Sequence, residues 1–206
     1  MVLNINPTRM ELLNLKKRLI LAQRGHKLLR DKQDELVRNF LILIKSWKNA
    51  RKEIEKNLME TQKIFLQAYV SVPKHILDHA FASLDTRLDL SVSVRRITSV
   101  RLPEFKTEVQ TNFLNYSFSD TNVFLDKTVS AYSKLIVDMV NLAQIEKSIM
   151  LLGEEIRKTR RRVNALEYVL IPNIEDTIKY ITMKLEEFER GNLVRLMKIK
   201  EIVRAH

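Results

Sequence analysis

The chain has 206 residues with only 3 glycines, 4 prolines and no cysteine; 45% of it is hydrophobic, 30% is charged, and the net charge is +11. So few breakers among so many charges favour long helices over a sheet-rich domain, and the lack of cysteine excludes disulfides and thiolate metal sites and permits a reducing compartment. The positive charge predicts an acidic partner: nucleic acid, an anionic membrane surface or an acidic protein.

The start, MVLNINPTRMELLNL, lacks the basic-then-apolar layout of a targeting signal. Thr8 reads as a helix N-cap, and Glu11 three residues on completes a capping box. A 3,4 spacing then runs through Leu12, Leu15, Leu19, Ala22, His26, Leu29, Gln33, Leu36, Phe40, Leu43, Trp47, Ala50 and Ile54. Sustained over about six heptads, it predicts a coiled-coil seam about 90 Å long if helical throughout. Gly25 inside it costs about 1 kcal/mol relative to Ala. It marks either close approach of another backbone, the preferred reading, or plain tolerance. His26 reads as a polar seam residue that fixes register, and Trp47 as core. The longest apolar run, FLILI at residues 40–44, is far short of the ~20 residues of a membrane span. Membrane association is therefore expected only through a partner.

Val72 and Pro73 end the first helix, and a short helix through Ile76, Leu77, Ala80 and Phe81 follows. His75 and His79 have the i, i+4 spacing of a metal pair, but no third ligand accompanies them, and no metal site is expected. Residues 90–94 and 97–102 alternate apolar and polar, a strand period that Pro103 closes. Residues 109–118 read as the partner strand, and residues 119–122 as a turn and helix start.

The last third repeats the seam at Ile145, Ile149, Leu152, Ile156, Thr159, Val163, Leu166 and Leu170. It then slips to Ile174, Ile178, Ile181, Leu185 and Phe188. The extra step of four is a stutter, and it falls at Pro172. Two long apolar-striped helices in one chain should pair antiparallel and bring both chain ends together at one tip. The predicted fold is all-α: a long antiparallel two-helix coiled coil with a small β-hairpin head in the middle of the chain. Its parts are a helix over 1–72, a head over 73–122 and a second helix over 123–206, in a single elongated domain.

The run Arg160, Arg161, Arg162 suggests the basic fork of a DNA-binding zipper. A zipper's basic helix runs free into the major groove, whereas here the seam continues on both sides of the arginines. They therefore sit on the flank of a paired helix. That position serves either as a solvated face with weak ion pairs, for instance to Glu53 or Glu55, or as a protein-docking face. No phosphate-binding glycine loop and no Ser/His/Asp or paired-carboxylate constellation stands out, so neither catalytic residues nor a cofactor is expected.

Residues 6–36, NPTRMELLNLKKRLILAQRGHKLLRDKQDEL, and residues 158–181, KTRRRVNALEYVLIPNIEDTIKYI, resemble the two end signatures of the D subunit of the V-type and archaeal-type rotary ATPases. LEEFER at 185–190 and LMKIK at 196–200 continue the likeness, which covers both long helices. The resemblance implies a non-catalytic central-stalk rotor subunit on the cytoplasmic side of a membrane-bound complex. Its implied partners are the hexamer of catalytic A and regulatory B subunits, the side-docking F subunit, and the socket subunit (C/d) above the membrane ring. No nucleic acid is then involved. The density of cations near both chain ends predicts a hexamer-facing tip of Arg9, Lys16, Lys17, Arg190, Arg195, Lys198 and Lys200. A stalk-side contact is expected at Arg160, Arg161, Arg162, Glu167 and Tyr168, and a role for the hairpin head in socket binding or control of activity. The alternatives from other classes are a basic coiled-coil nucleic-acid-binding protein and a self-associating scaffold.

Overall fold

The computed structural model describes residues 6–83, 86–111 and 122–205. In chain order they form α1 (Arg9–Ser71), α2 (Lys74–Ala82), β1 (Thr86–Ile97), β2 (Val100–Thr111), α3 (Val123–Ala165), a π-helical turn (Leu166–Leu170) and α4 (Ile171–Ala205). The fold is a helical coiled coil with a two-stranded antiparallel hairpin in mid-chain.

Helix α1 starts where its cap predicts. The Glu11 N–H donates to Thr8 Oγ1 at 3.2 Å, and the Leu12 N–H to the Thr8 carbonyl at 3.1 Å. It stops at Ser71, two residues before Pro73, because a residue preceding proline is pushed out of helical backbone. Each predicted seam position from Leu12 to Ile54 is buried or half-buried.

The chain divides into two compact units. One comprises the described residues of Met1–Glu35 and Ile156–His206. Its core is Leu15 against Ile174 and Ile181, flanked by Leu12, Leu19, Ile178 and Leu185. Arg9 bonds Glu189 and His26 meets Glu167, so within this unit α1 and the later helices run antiparallel.

The other unit is Leu36–Glu155. There a Cβ added to Gly153 would lie 3.8 Å from the Phe40 ring, and Trp47 Nε1 donates to Glu146 at 2.8 Å. Ala50, Glu53 and Ile54 share a groove with Asp138, Asn141, Leu142 and Ile145, again an antiparallel order. Val72, Leu77, Ala80 and Leu125 form a second core, with Phe65 and Ile76 packed on it. This is what α2 is for: its buried face, Leu77 and Ala80, closes the end where α1 stops and α3 begins.

Strands β1 and β2 pair from Thr86↔Thr111 to Ile97↔Val100. The turn lies at residues 98–99, with Thr98 at φ 54, in the left-handed region. This corrects the predicted strand layout. Residues 97–102 are not one strand, because they contain the turn. Pro103 does not close a strand: it lies inside β2 opposite Val94. The ladder tolerates it there. The Phe105 N–H points away from β1 to Gln144 Oε1 at 2.8 Å, and two residues earlier Pro103 occupies the same outward-facing kind of position, where no N–H is needed. The partner strand starts at Val100 rather than 109; residues 112–118 of the predicted strand, and 119–121 of the predicted turn, lie outside the described residues.

The predicted slip at Pro172 takes a definite form. Residues 166–170 make a π-turn in which the Ile171 N–H bonds the Leu166 carbonyl, five residues back. A widened turn directly before a proline relieves the crowding that its ring imposes on the preceding helix. It also adds one residue to the seam. The seam steps from Val163 through half-buried Glu167 and Ile171 to buried Ile174, and Leu170, predicted in the seam, is 45% exposed.

Candidate partner-binding surfaces

All seven tip cations are exposed. Arg9 is not free: its guanidinium bonds Glu189. This contact places the first turn of α1 beside Glu189, so Arg9 and Arg190 come close together. Pro7 reaches a little further and lines a cavity of about 480 Å³ with Lys184, Phe188, Gly191, Asn192 and Arg195.

Helix α4 runs on to Ala205, roughly 24 Å past Glu189 at 1.5 Å per residue. The antiparallel ends are thus unequal among the described residues, and Lys198 and Lys200 lie on the overrun. Every residue from 193 to 204 is exposed. The overrun is also strongly apolar, with Leu193, Val194, Leu196, Met197, Ile199, Ile202 and Val203 all open to solvent. At 100° per residue these surround the helix instead of forming one stripe. Apolar residues on every side are the pattern of a buried helix, here interspersed with Arg195, Lys198 and Lys200. Cation density alone does not reveal this; the run of apolar residues without seam spacing is its sequence signal.

On the flank, Thr159 and Val163 are buried and Arg160, Arg161 and Arg162 are exposed, as the seam predicts. The example of ion pairing to Glu53 or Glu55 does not hold for Glu55, which pairs with Arg51 on its own helix at 2.9 Å. Glu53 instead lines the groove facing Asp138 and Ile145. Glu167 and Tyr168 both sit in the π-turn. Glu167 is drawn inward to His26, Oε2 to Nε2 at 3.4 Å. Tyr168 projects outward at 72% exposure, followed by exposed Val169 and Leu170. The turn thus presents three consecutive apolar side chains to solvent one to two turns beyond the arginines.

Trp47 is half-buried; its ring is capped by Arg51, whose guanidinium carbon lies 5.3 Å from the ring centroid. His75 and His79 are both exposed, and no cluster of three metal-ligating side chains occurs among the described residues. On α4, Lys184 Nζ donates to Glu187 Oε2 at 2.8 Å. That hydrogen bond, and then the carboxylate's charge, hold Lys184 above its ordinary pKa; the same bond and the ammonium charge hold Glu187 below its own. No described helix is long and apolar enough to cross a membrane.

The described surface thus offers exposed cations and apolar side chains along the helices and on the last turns of α4. A family model for the D subunit of ATP synthase matches residues 11–201. A V-type ATP synthase D subunit of Fusobacterium nucleatum is 47% identical over 98% of this chain and 97% of its own length. Proteins of the same description from Thermoanaerobacter sp. (strain X514), 45% identical over 98% of both chains, and Clostridium novyi, 46% identical over 98% of this chain and 95% of theirs, agree with it. The chain belongs to the ATP synthase D-subunit family.

Proposed function

We propose that the protein is the central-stalk shaft of a V/A-type rotary ATP synthase or ATPase. It carries torque between the A/B hexamer that hydrolyses or makes ATP and the ion-translocating membrane ring. In this reading residues 1–72 and 123–206 form the shaft and 73–122 the head, and membrane contact is indirect, through partners on the cytoplasmic side. The nucleic-acid and scaffold alternatives are not favoured by a chain of this family.

The observation that carries the reading is the α4 overrun. Residues 193–204 combine apolar side chains on all sides with Arg195, Lys198 and Lys200. Such a segment suits a closed sleeve with acidic lining, as the cavity of a hexamer supplies. The chemistry asked of the chain itself is mechanical. Interlocked seams resist twist, because each side chain of one helix is held in a gap of the other. The two helices present unequal faces, so at any rotation angle the shaft contacts three surrounding sites differently. It therefore biases each toward a different conformation, and cycling those conformations turns it. The exposed arginines 160–162 with Tyr168 form the side contact to the F subunit or the hexamer collar, and the head serves the socket or controls activity.

The test is a chain truncated after Asn192, compared with Arg195→Glu/Lys198→Glu/Lys200→Glu, each in a reconstituted complex. Residues 193–204 are exposed throughout and belong to no buried cluster among the described residues, so both variants should unfold near the wild-type temperature. Rotation in a single-molecule assay should lose torque or coupling. Full torque from both variants would overturn the tip assignment.

A further inference from the structure

The outer strand of the hairpin carries a second interface. Each residue from Arg87 to Arg96 on β1 is exposed, while β2 holds buried Leu102 and meets α3 through the Phe105–Gln144 hydrogen bond. Because the Phe105 N–H faces away from β1, its partner Val92 is not hydrogen-bonded to it. The N–H and C=O of Val92 therefore point outward, away from β2, and by alternation so do those of Leu88, Leu90, Val94 and Arg96. The side chains of Leu88, Leu90, Val92 and Val94 stand exposed on one face of this edge. Open edges are commonly protected by charged side chains, above all lysine, by proline or by a bulge. Strand β1 has no lysine, proline or bulge, and its pairing with β2 is unbroken over all twelve residues. Its charges, Arg87, Asp89, Arg95 and Arg96, are of both signs and lie toward its two ends, leaving the central apolar row open.

We infer that this edge pairs with the same edge of a second copy of the chain, antiparallel, about a two-fold axis through Val92. An isologous strand pair matches residues symmetrically about its centre. Centred on Val92, Leu90 meets the second copy's Val94 in a hydrogen-bonded pair, and Asp89 meets Arg95 in the closer, non-hydrogen-bonded pair on the opposite face. Each charge match occurs twice. Neither Asp89 nor Arg95 has an ion-pair partner among the described residues. Centring one residue earlier, on Ser91, would set Arg87 opposite Arg95, and like charges directly opposite are destabilising. Charge complementarity therefore selects both the occupant and the register. The result is a four-stranded sheet, β2-β1-β1-β2, whose apolar rows join into one. The interface is small, so association is weak and dissolves when one copy enters an assembly that takes a single shaft. It concerns the free chain and does not depend on the stalk reading.

The full chain, without other subunits, is measured by sedimentation velocity across a concentration series. A shift from 24.3 kDa to twice that mass is expected. Asp89→Arg and Arg95→Asp should each weaken association about tenfold, and the double variant, with the charges exchanged, should restore it. Since the chain has no cysteine, Val92→Cys should oxidise to a covalent dimer while Ser99→Cys, at the turn, should not. A chain that stays monomeric throughout the series would overturn the inference. So would dimers indifferent to the single reversals, a double variant that fails to recover, or equal cross-linking at both cysteine positions.

Discussion

His26 Nε2 lies 3.4 Å from Glu167 Oε2, joining a seam position of α1 to the widened turn that precedes Pro172. The imidazole is the better shielded, its side chain 17% exposed against 41% for the carboxylate. A polar residue in a coiled-coil seam costs stability but discriminates between registers, because a slip strands it against apolar neighbours. Here its partner is offered by the turn that inserts the extra residue. The contact thus ties the α1 seam to the position where the later seam changes phase.

Breaking this contact should be measurable. Glu167→Ala is expected to lower the unfolding free energy by about 0.5–1.5 kcal/mol. A double-mutant cycle with His26→Ala should give a coupling of about 0.5 kcal/mol or more. Chemical unfolding of the four proteins reads both, and zero coupling would show that the pair contributes nothing to register.

The π-turn makes a sharper prediction. It holds one residue more than an α-helical turn, so removing Val169 together with Pro172→Ala should close it into regular helix with the flanking seams still aligned. The midpoint of thermal unfolding should stay near that of Pro172→Ala alone. Removing Glu154, inside regular α3, rotates the rest of the helix by about 100°. It should misface Thr159 and Val163 and cost about 3 kcal/mol or more. Equal losses from the two deletions would contradict a surplus residue in the turn.

Gly25 was expected to allow another backbone close. A Cβ added there meets nothing within 4 Å among the described residues, so the glycine serves no packing need among them. Gly25→Ala should stabilise the isolated protein by about 1 kcal/mol, the ordinary helix-propensity difference. If the variant also assembles less well, the close neighbour belongs to a partner subunit, and a reconstitution assay separates the two effects.

The Lys184–Glu187 pair sets a pH window. Glu187 is held below its ordinary pKa, so its contribution is present above the unfolded-state value and fades as acid carries the pH down through the folded one. Lys184 is held above its ordinary value, so its contribution is present below the unfolded-state value and fades only as alkali carries the pH up through the folded one. The pair is therefore intact across neutral pH. NMR titration should show Glu187 returning upward to an ordinary carboxylate value in Lys184→Met. Both groups are fully exposed, so the unfolding temperature at neutral pH should barely move.

Much of this fold was readable because its causes are local. Thr8 and Glu11 mark the start of α1 by a bond three residues long, and Pro73 marks its end by the geometry of its own ring. The 3,4 spacing reports which side of each helix is apolar, so burial of Leu15, Leu36 and Leu152 and exposure of Arg160, Arg161 and Arg162 followed from the period alone. The hairpin was harder. Residues 97–102 read as one strand, although Thr98 and Ser99 set two polar residues in succession and break the alternation. So short a break marks a turn with certainty only once the pairing of Ile97 with Val100 is known.

By itself, then, the sequence determined the helices, their caps, their apolar faces and the outward placing of the flank arginines, since each depends on neighbours within a turn or two. Which residues lie opposite one another was decided only in the tertiary structure. Leu170 turns out and Ile171 in because a wider turn must be accommodated against α1. Arg9 meets Glu189, which leaves the last turns of α4 uncovered among the described residues, because register is the best sum of many weak contacts across two helices and no single residue encodes it.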